Sequence, residues 1–186
     1  MIILASNSPR RKELLTMLGY DFKVMSANCD ENTDIKNPKR LVKELSLRKA
    51  SSIKNQKNDI IIGSDTVVAV RNKILGKPKD TKDAFNMLKS LSGKSHMVYT
   101  GITIIKGDIT VTKCISCRVN FRKISDNEIS DYIKTNEPMD KAGAYAIQGK
   151  GSAFVKSIKG DYFSVVGFPC CFVDVTLKKL GEKPTK

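Results

Sequence analysis

Tryptophan is absent from this chain, histidine occurs once, at His96, and aromatic residues make up 6% of the 186 positions. Rings are sparse, and no stacking platform of the kind that holds single-stranded nucleic acids is evident in the sequence. A lone histidine with no cysteine or serine partner motif leaves nucleophilic triads unsupported. The phosphate-binding GxxxxGK[ST] loop is missing, and so is a GxGxxG that opens a helix. P-loop and dinucleotide-binding designs are therefore excluded. No apolar run is long enough to span a bilayer. The apolar segment 1–5 precedes its basic residues, the reverse of the secretory order, so no signal peptide is expected.

Cysteines number five, an odd count. Cys114 and Cys117 have CxxC spacing without a second pair, and on a strand they would face opposite sides. With one histidine available, a structural zinc is not expected. Cys29, Cys114, Cys117, Cys170 and Cys171 read as reduced, partly buried thiols of a cytoplasmic protein. Acids are also scarce. Nineteen Asp and Glu stand against 33 Lys and Arg, for a net charge of +14. That balance permits attraction to nucleic acid, acidic membranes or nucleotide phosphates. The lysines form no long basic run, so a solvated surface accounts for most of them, and nucleic acid is a permitted partner rather than a required one.

Against these absences, the first turn stands out. Residues 2–5 read as a short buried strand that runs into a helix, with Ser8 as its cap and Pro9 at its first position. Leu14, Leu15 and Leu18 form an apolar stripe, and Gly19 is placed to end the helix. Arg10, Arg11 and Lys12 crowd the positive end of the helix dipole, where acids would be favoured. Hydroxyls, guanidinium groups and helix-start amides gathered there make a candidate anion site.

A strand over 22–25 leads to an acidic loop, Asp30 to Asp34, whose carboxylates could hold a divalent cation or simply face water. Asn37 caps the next helix, with Pro38 at its first position, and that helix runs to about residue 53. Residues 59–70 are a β-branched run broken by Gly63-Ser64-Asp65-Thr66. Glycine there predicts a bulge or a close approach by a ligand, and a carboxylate inside a buried strand must be paired, metal-bound or functional. Lys77, fixed between Gly76 and Pro78, is placed to meet a phosphate as a point charge.

A helix over 81–91 and strands over 97–105, 110–117 and 119–122 follow, with a hairpin turn at 106–108. Ser125 and Glu128 form a capping box for a helix to about 134. The stretch 137–151 is rich in small and polar residues, and its three glycines beside Asp140, Lys141 and Gln148 predict a binding loop. Strands over 153–158 and 162–166, a helix over 171–180 and a frayed tail over 181–186 complete the expectation. The order implies one domain over 1–186, an α/β fold with a mixed, twisted sheet flanked by helices.

Several of these stretches together resemble the Maf (septum formation) family. They are Ser6-Asn7-Ser8-Pro9-Arg10-Arg11, Gly63-Ser64-Asp65-Thr66-Val67-Val68, Gly76-Lys77-Pro78 and Ser92-Gly93-Lys94-Ser95-His96. Glu137-Pro138 with Asp140-Lys141-Ala142-Gly143-Ala144-Tyr145, Ile147-Gln148-Gly149 and Val165-Val166-Gly167-Phe168-Pro169 join them, in order along nearly the whole chain. The resemblance implies a metal-dependent pyrophosphatase that cleaves a nucleoside triphosphate to the monophosphate and pyrophosphate. It implies two lobes with a cleft and a fold like the inosine triphosphatase (Ham1-like) group.

Asp65 takes the family's proton-acceptor role. Arg10, Thr66 and Gln148 match the positions of the subgroup that prefers dTTP and UTP. Ser6, Ser8, Arg11, Lys49 and Lys77 resemble its phosphate-binding set, and Glu31 is the expected partner of Asp65 at a Mg²⁺, Mn²⁺ or Co²⁺ ion. Phe168, where the family often has leucine, is expected to be a packing variation. A homodimer is compatible with the resemblance, as are a house-cleaning role toward modified nucleotides and a role in arresting cell division. The competing class is a non-enzymatic nucleic-acid-binding or cell-division regulatory protein.

The chemistry fits these residues independently. Water attacking the α-phosphorus needs a base, which Asp65 can supply. The highly charged leaving pyrophosphate is stabilised by arginines and lysines. A glutamine both donates and accepts, as the imide edge of thymine or uracil requires.

Overall fold

The computed structural model describes residues 1–54, 58–71 and 73–185. The chain runs β1 (Ile2–Ala5), α1 (Pro9–Met17), β2 (Phe22–Met25), α2 (Pro38–Ser51), β3 (Ile60–Val70), β4 (Lys73–Leu75) and α3 (Thr81–Leu91). It continues with β5 (Ser95–Lys106), β6 (Ile109–Phe121) and α4 (Asp126–Lys134), then three short 3₁₀ turns. It ends with β7 (Val155–Lys159), α5 (Tyr162–Val166) and α6 (Cys170–Lys179). Among the described residues the strands form one mixed sheet in the order β2-β1-β3-β5-β6-β7, with β4 paired to β3. The expected α/β class with a mixed sheet and helices is thus observed.

Two compact units divide the chain. The first comprises Met1–Asp65, Thr100–Ile115 and the segment from Gly167 onward; the second comprises Thr66–Tyr99 and Ser116–Val166. In the first unit β1 pairs in parallel with both β2 and β3, with Ile2 opposite Phe22 and Ile60. Strands enclosed on both sides are apolar throughout, and all four residues of β1 are buried. Ile3, Ala5 and Ile61 pack with Ala50 and Ile53 of the α2 segment. In the second unit β3 pairs antiparallel with β4, and β6 with β7. Its core joins Leu88 and Leu91 of α3 to Ile129 and Tyr132 of α4, with Val119, Phe121, Tyr145 and Phe154.

Local signals account for several helix starts. Asn37 Oδ1 accepts from Arg40 N at 3.1 Å, with Pro38 at the first helical position. The Ser125/Glu128 capping box closes in both directions. At α1, Pro9 occupies the first position as expected, but the Ser8 side chain makes no capping bond. Instead Ser8 N–H donates to Ser6 Oγ at 3.2 Å.

Four other expectations are corrected. The run expected over 59–70 is one unbroken strand, β3 (Ile60–Val70), without the bulge or break foreseen at Gly63–Thr66. The two strands expected over 110–117 and 119–122 are likewise one, β6 (Ile109–Phe121). Residues 162–166 form α5 rather than a strand: Asp161 accepts from Phe163 N through its carboxylate and from Ser164 Oγ through its carbonyl, which turns the chain. The segment 181–185, read as a frayed tail, is tied back by Thr185 N–H to the Gly19 carbonyl at 2.8 Å and by Lys106 Nζ to Glu182 at 3.3 Å. The last residue of the expected tail, and Asn72 of the turn after β3, lie outside the described residues.

The single histidine is structural. His96 is 2% exposed, and Nε2 lies 2.9 Å from the Tyr145 hydroxyl. Its ring meets Phe121 and Tyr145 edge-on, with centroids 4.9 and 5.4 Å away. Nδ1 is buried without a partner, and burial pushes the imidazole pKa down to about 4. An unfolded histidine takes its proton near 6.5, so the folded state loses stability as pH falls from about 6.5 to about 4. The expected loss from this group at pH 4.5 is about 2 kcal/mol. Urea titrations at pH 7 and pH 4.5 measure it, and His96→Gln should abolish that share of the difference. An equal acid loss in that variant would contradict the assignment.

Candidate functional site

Strand alternation places Gly63 and Asp65 on one face of β3 and Ser64 on the other. The Gly63 face lies against α2, where a Cβ on Gly63 would sit 2.4 Å from the Ser46 carbonyl oxygen. Gly101 on β5 meets the same helix, and its Cβ would sit 1.9 Å from the Val42 carbonyl oxygen. These two glycines allow α2 to seat against the sheet, so the close approach expected at Gly63 is made by a helix. The seated helix brings Lys49 to Asp65.

Lys49 Nζ donates to Asp65 Oδ1 at 2.6 Å and stands 3.1 Å from Glu31 Oε2. One ammonium therefore joins a buried strand carboxylate to the acidic loop. Arg48 holds that loop in place, with its guanidinium donating to the carbonyls of Asp30 and Asn32 and to Glu44. On its other face, Ser64 Oγ lies 3.0 Å from the carbonyl oxygens of both Gly101 and Gly167 and donates to that pair.

The basic helix start joins this cluster within the first unit. Arg11 Nη1 donates to Ser6 Oγ at 3.1 Å, and Arg11 Nε donates to the Gly167 carbonyl at 3.0 Å. Burial lowers the Arg11 pKa, the Asp65 and Glu31 charges oppose that shift, and Arg10 adds to it. No acid occupies the first turn of α1. Ser6 is buried, Ser8 and Arg10 are half-buried, and Glu31 is exposed. Thus Ser6, Ser8, Arg10, Arg11, Glu31, Lys49 and Asp65 all belong to one compact unit. Thr66, Lys77 and Gln148 belong to the other. Lys77 is exposed after β4, and Gln148 is exposed in a turn closed by Gly149 N–H to the Ala146 carbonyl at 3.3 Å.

Sequence reasoning missed the Gly167 carbonyl, which accepts from Arg11 and stands within reach of Ser64. Its signal was Gly167 itself, whose φ of 111° is a conformation that glycine adopts readily. Phe168 is fully buried, as a packing variation should be. Among the described residues no group of three or more His, Cys, Asp or Glu could hold a metal, none of the five cysteines is in a disulfide, and no helix is long and apolar enough to cross a membrane.

Comparison with known proteins gives the geometry a relation. A dTTP/UTP pyrophosphatase of Thermosipho melanesiensis is 52% identical over 168 residues, covering 90% of this chain and 91% of that protein. A dTTP/UTP pyrophosphatase of Thermoanaerobacter sp. is 51% identical over 172 residues, covering 90% of each. That of Clostridium beijerinckii is 48% identical over 185 residues, covering 96% and 98%. The family model described as Maf-like protein matches residues 1–180. That span takes in every candidate site residue, from Ser6 to Gly167, and the chain belongs to the Maf family.

Proposed function

We propose that this chain is a nucleoside triphosphate pyrophosphohydrolase that cleaves dTTP and UTP to the monophosphate and pyrophosphate. The observation that carries the reading is the cluster of opposite charges in one unit: Lys49 between Asp65 and Glu31, with Arg11 beside them. The relatives, named dTTP/UTP pyrophosphatases, support the same substrates.

In this reading Asp65 accepts the proton of the attacking water, since an ionised carboxylate bonded to Lys49 is an acceptor fixed in place. Arg11, Lys49, Lys77 and the Ser6 and Ser8 hydroxyls bind phosphate oxygens and stabilise the charge that gathers on the departing pyrophosphate. Gln148 donates to and accepts from the imide edge of the base, and Arg10 and Thr66 bear on base preference.

The residues present fit a divalent cation. Glu31 and Asp65 offer hard carboxylate oxygens that already share one cation, the Lys49 ammonium. Two carboxylates with phosphate oxygens and water completing the shell are how Mg²⁺ is commonly held beside nucleotides. Bound there, such an ion supplies Lewis-acid polarisation and lowers the pKa of water. Five thiols outside disulfides suit the reducing cytoplasm.

A panel of standard and modified nucleoside triphosphates with Mg²⁺, Mn²⁺ or Co²⁺, monitored by pyrophosphate release, tests the proposal. Highest turnover of dTTP and UTP is expected, and no turnover of any nucleotide would overturn it. Gln148→Ala should lower the dTTP-over-CTP preference by about 10- to 100-fold, the worth of a lost base contact. The fall in the preference should exceed the fall in maximal rate. An unaltered dTTP/CTP ratio counts against Gln148 as the base reader.

A further inference from the structure

Glu137 has no part in the chemistry above, yet its carboxylate accepts three hydrogen bonds. Tyr132 Oη donates to Oε1 at 2.8 Å, Gly151 N–H donates to Oε1 at 3.1 Å, and Lys150 N–H donates to Oε2 at 3.0 Å. The Tyr132 hydroxyl in turn accepts from Ala146 N–H at 3.0 Å. The turn bearing Gln148 runs from Ala146 to Gly149. Its leading end is therefore tied to Glu137 through Tyr132, and the residues just after it are tied to Glu137 directly.

Gly149 makes room for this arrangement, because a Cβ there would sit 2.4 Å from Glu137 Oε2. Tyr132 is itself fixed in the core, edge-on to Phe154 with centroids 5.0 Å apart. Burial pushes the Glu137 pKa up, but the Tyr132 hydroxyl, the Gly151 and Lys150 amides and Lys141 outweigh it and hold the carboxyl below its ordinary value. All of these groups lie in one compact unit.

We propose that Glu137 is a positioning residue for base selection: its carboxylate clamps both ends of the Ala146–Gly149 turn and so fixes the Gln148 amide that reads thymine or uracil. The inference rests on Gln148 being the base reader. An amide at position 137 has one accepting oxygen, so its NH2 would face the Lys150 N–H or, turned over, the Gly151 N–H; Glu137→Gln keeps the shape and breaks at least one arm of the clamp. Tyr132→Phe removes the arm to Ala146.

The test measures kcat and KM for dTTP and CTP in Glu137→Gln, Tyr132→Phe, Gln148→Ala and the Glu137→Gln/Gln148→Ala double variant. Glu137→Gln should lower the dTTP-over-CTP preference about tenfold through KM for dTTP, with kcat falling no more than about threefold. Tyr132→Phe should lower it about threefold in the same direction, and it carries the test if Glu137→Gln does not fold. In the Gln148→Ala background Glu137→Gln should add no further loss of preference, because the group it positions is gone. A lost preference in Gln148→Ala with a retained one in Glu137→Gln and Tyr132→Phe overturns the clamp and leaves the base reader standing. A retained preference in Gln148→Ala overturns the base reader, and the clamp with it.

Discussion

Replacing Asp65 with asparagine should reduce dTTP turnover by about a thousandfold or more while the protein stays folded. The amide keeps the shape of the carboxylate but takes up no proton from water. The protein should lose part of its stability yet stay folded, because Lys49 retains Glu31 at 3.1 Å when the partner at 2.6 Å becomes neutral. Losing one charge-assisted hydrogen bond costs about 1.5–3 kcal/mol, which in a chain of this size lowers Tm by roughly 3–12 °C. Thermal unfolding alongside a pyrophosphate assay separates the two effects. Hydrolysis near the wild-type rate would contradict Asp65 as the base.

The second large effect falls on stability. Gly101→Ala should cost about 3 kcal/mol or more, because the obstacle is backbone that has no other place to go. The added Cβ would stand 1.9 Å from the Val42 carbonyl oxygen and 2.3 Å from its carbon. The helix must lift, and Lys49 lifts with it, so activity should fall together with a Tm drop of roughly 6–12 °C. Gly76→Ala is the control: nothing lies within 4 Å of its Cβ position. That variant should change stability by less than about 0.5 kcal/mol. A Gly101→Ala protein with wild-type Tm would show that α2 does not seat on the sheet at that glycine.

What the sequence made legible was mostly local. The Ser125/Glu128 box and the Asn37–Pro38 start are contained within one turn of chain, and both form as read. Residues 162–166 failed because Tyr, Phe and two valines favour strands, while the deciding bonds come from Asp161 just outside the run. Gly63–Thr66 looked like a break because small and polar residues are costly in a buried strand. Tertiary partners remove that cost: α2 fills the space above Gly63, and Ser64 donates to neighbouring carbonyls. Asp65 stood out by its burial, but spacing gave no sign that Lys49 would meet it; the likeness to the Maf family marked Lys49 and Glu31. Glu137 was marked only by the Maf likeness, within Glu137-Pro138; its hydrogen-bonding role was not legible, because its partners are Tyr132 and backbone amides, which carry no signature in side-chain sequence.

The central claim is that water attacks the α-phosphorus and that pyrophosphate leaves intact. Hydrolysis of dTTP in ¹⁸O-labelled water, with the products resolved by ³¹P NMR and mass spectrometry, tests it most directly. The account predicts ¹⁸O in the phosphate of thymidine monophosphate and unlabelled pyrophosphate. Thymidine diphosphate with labelled orthophosphate would contradict it.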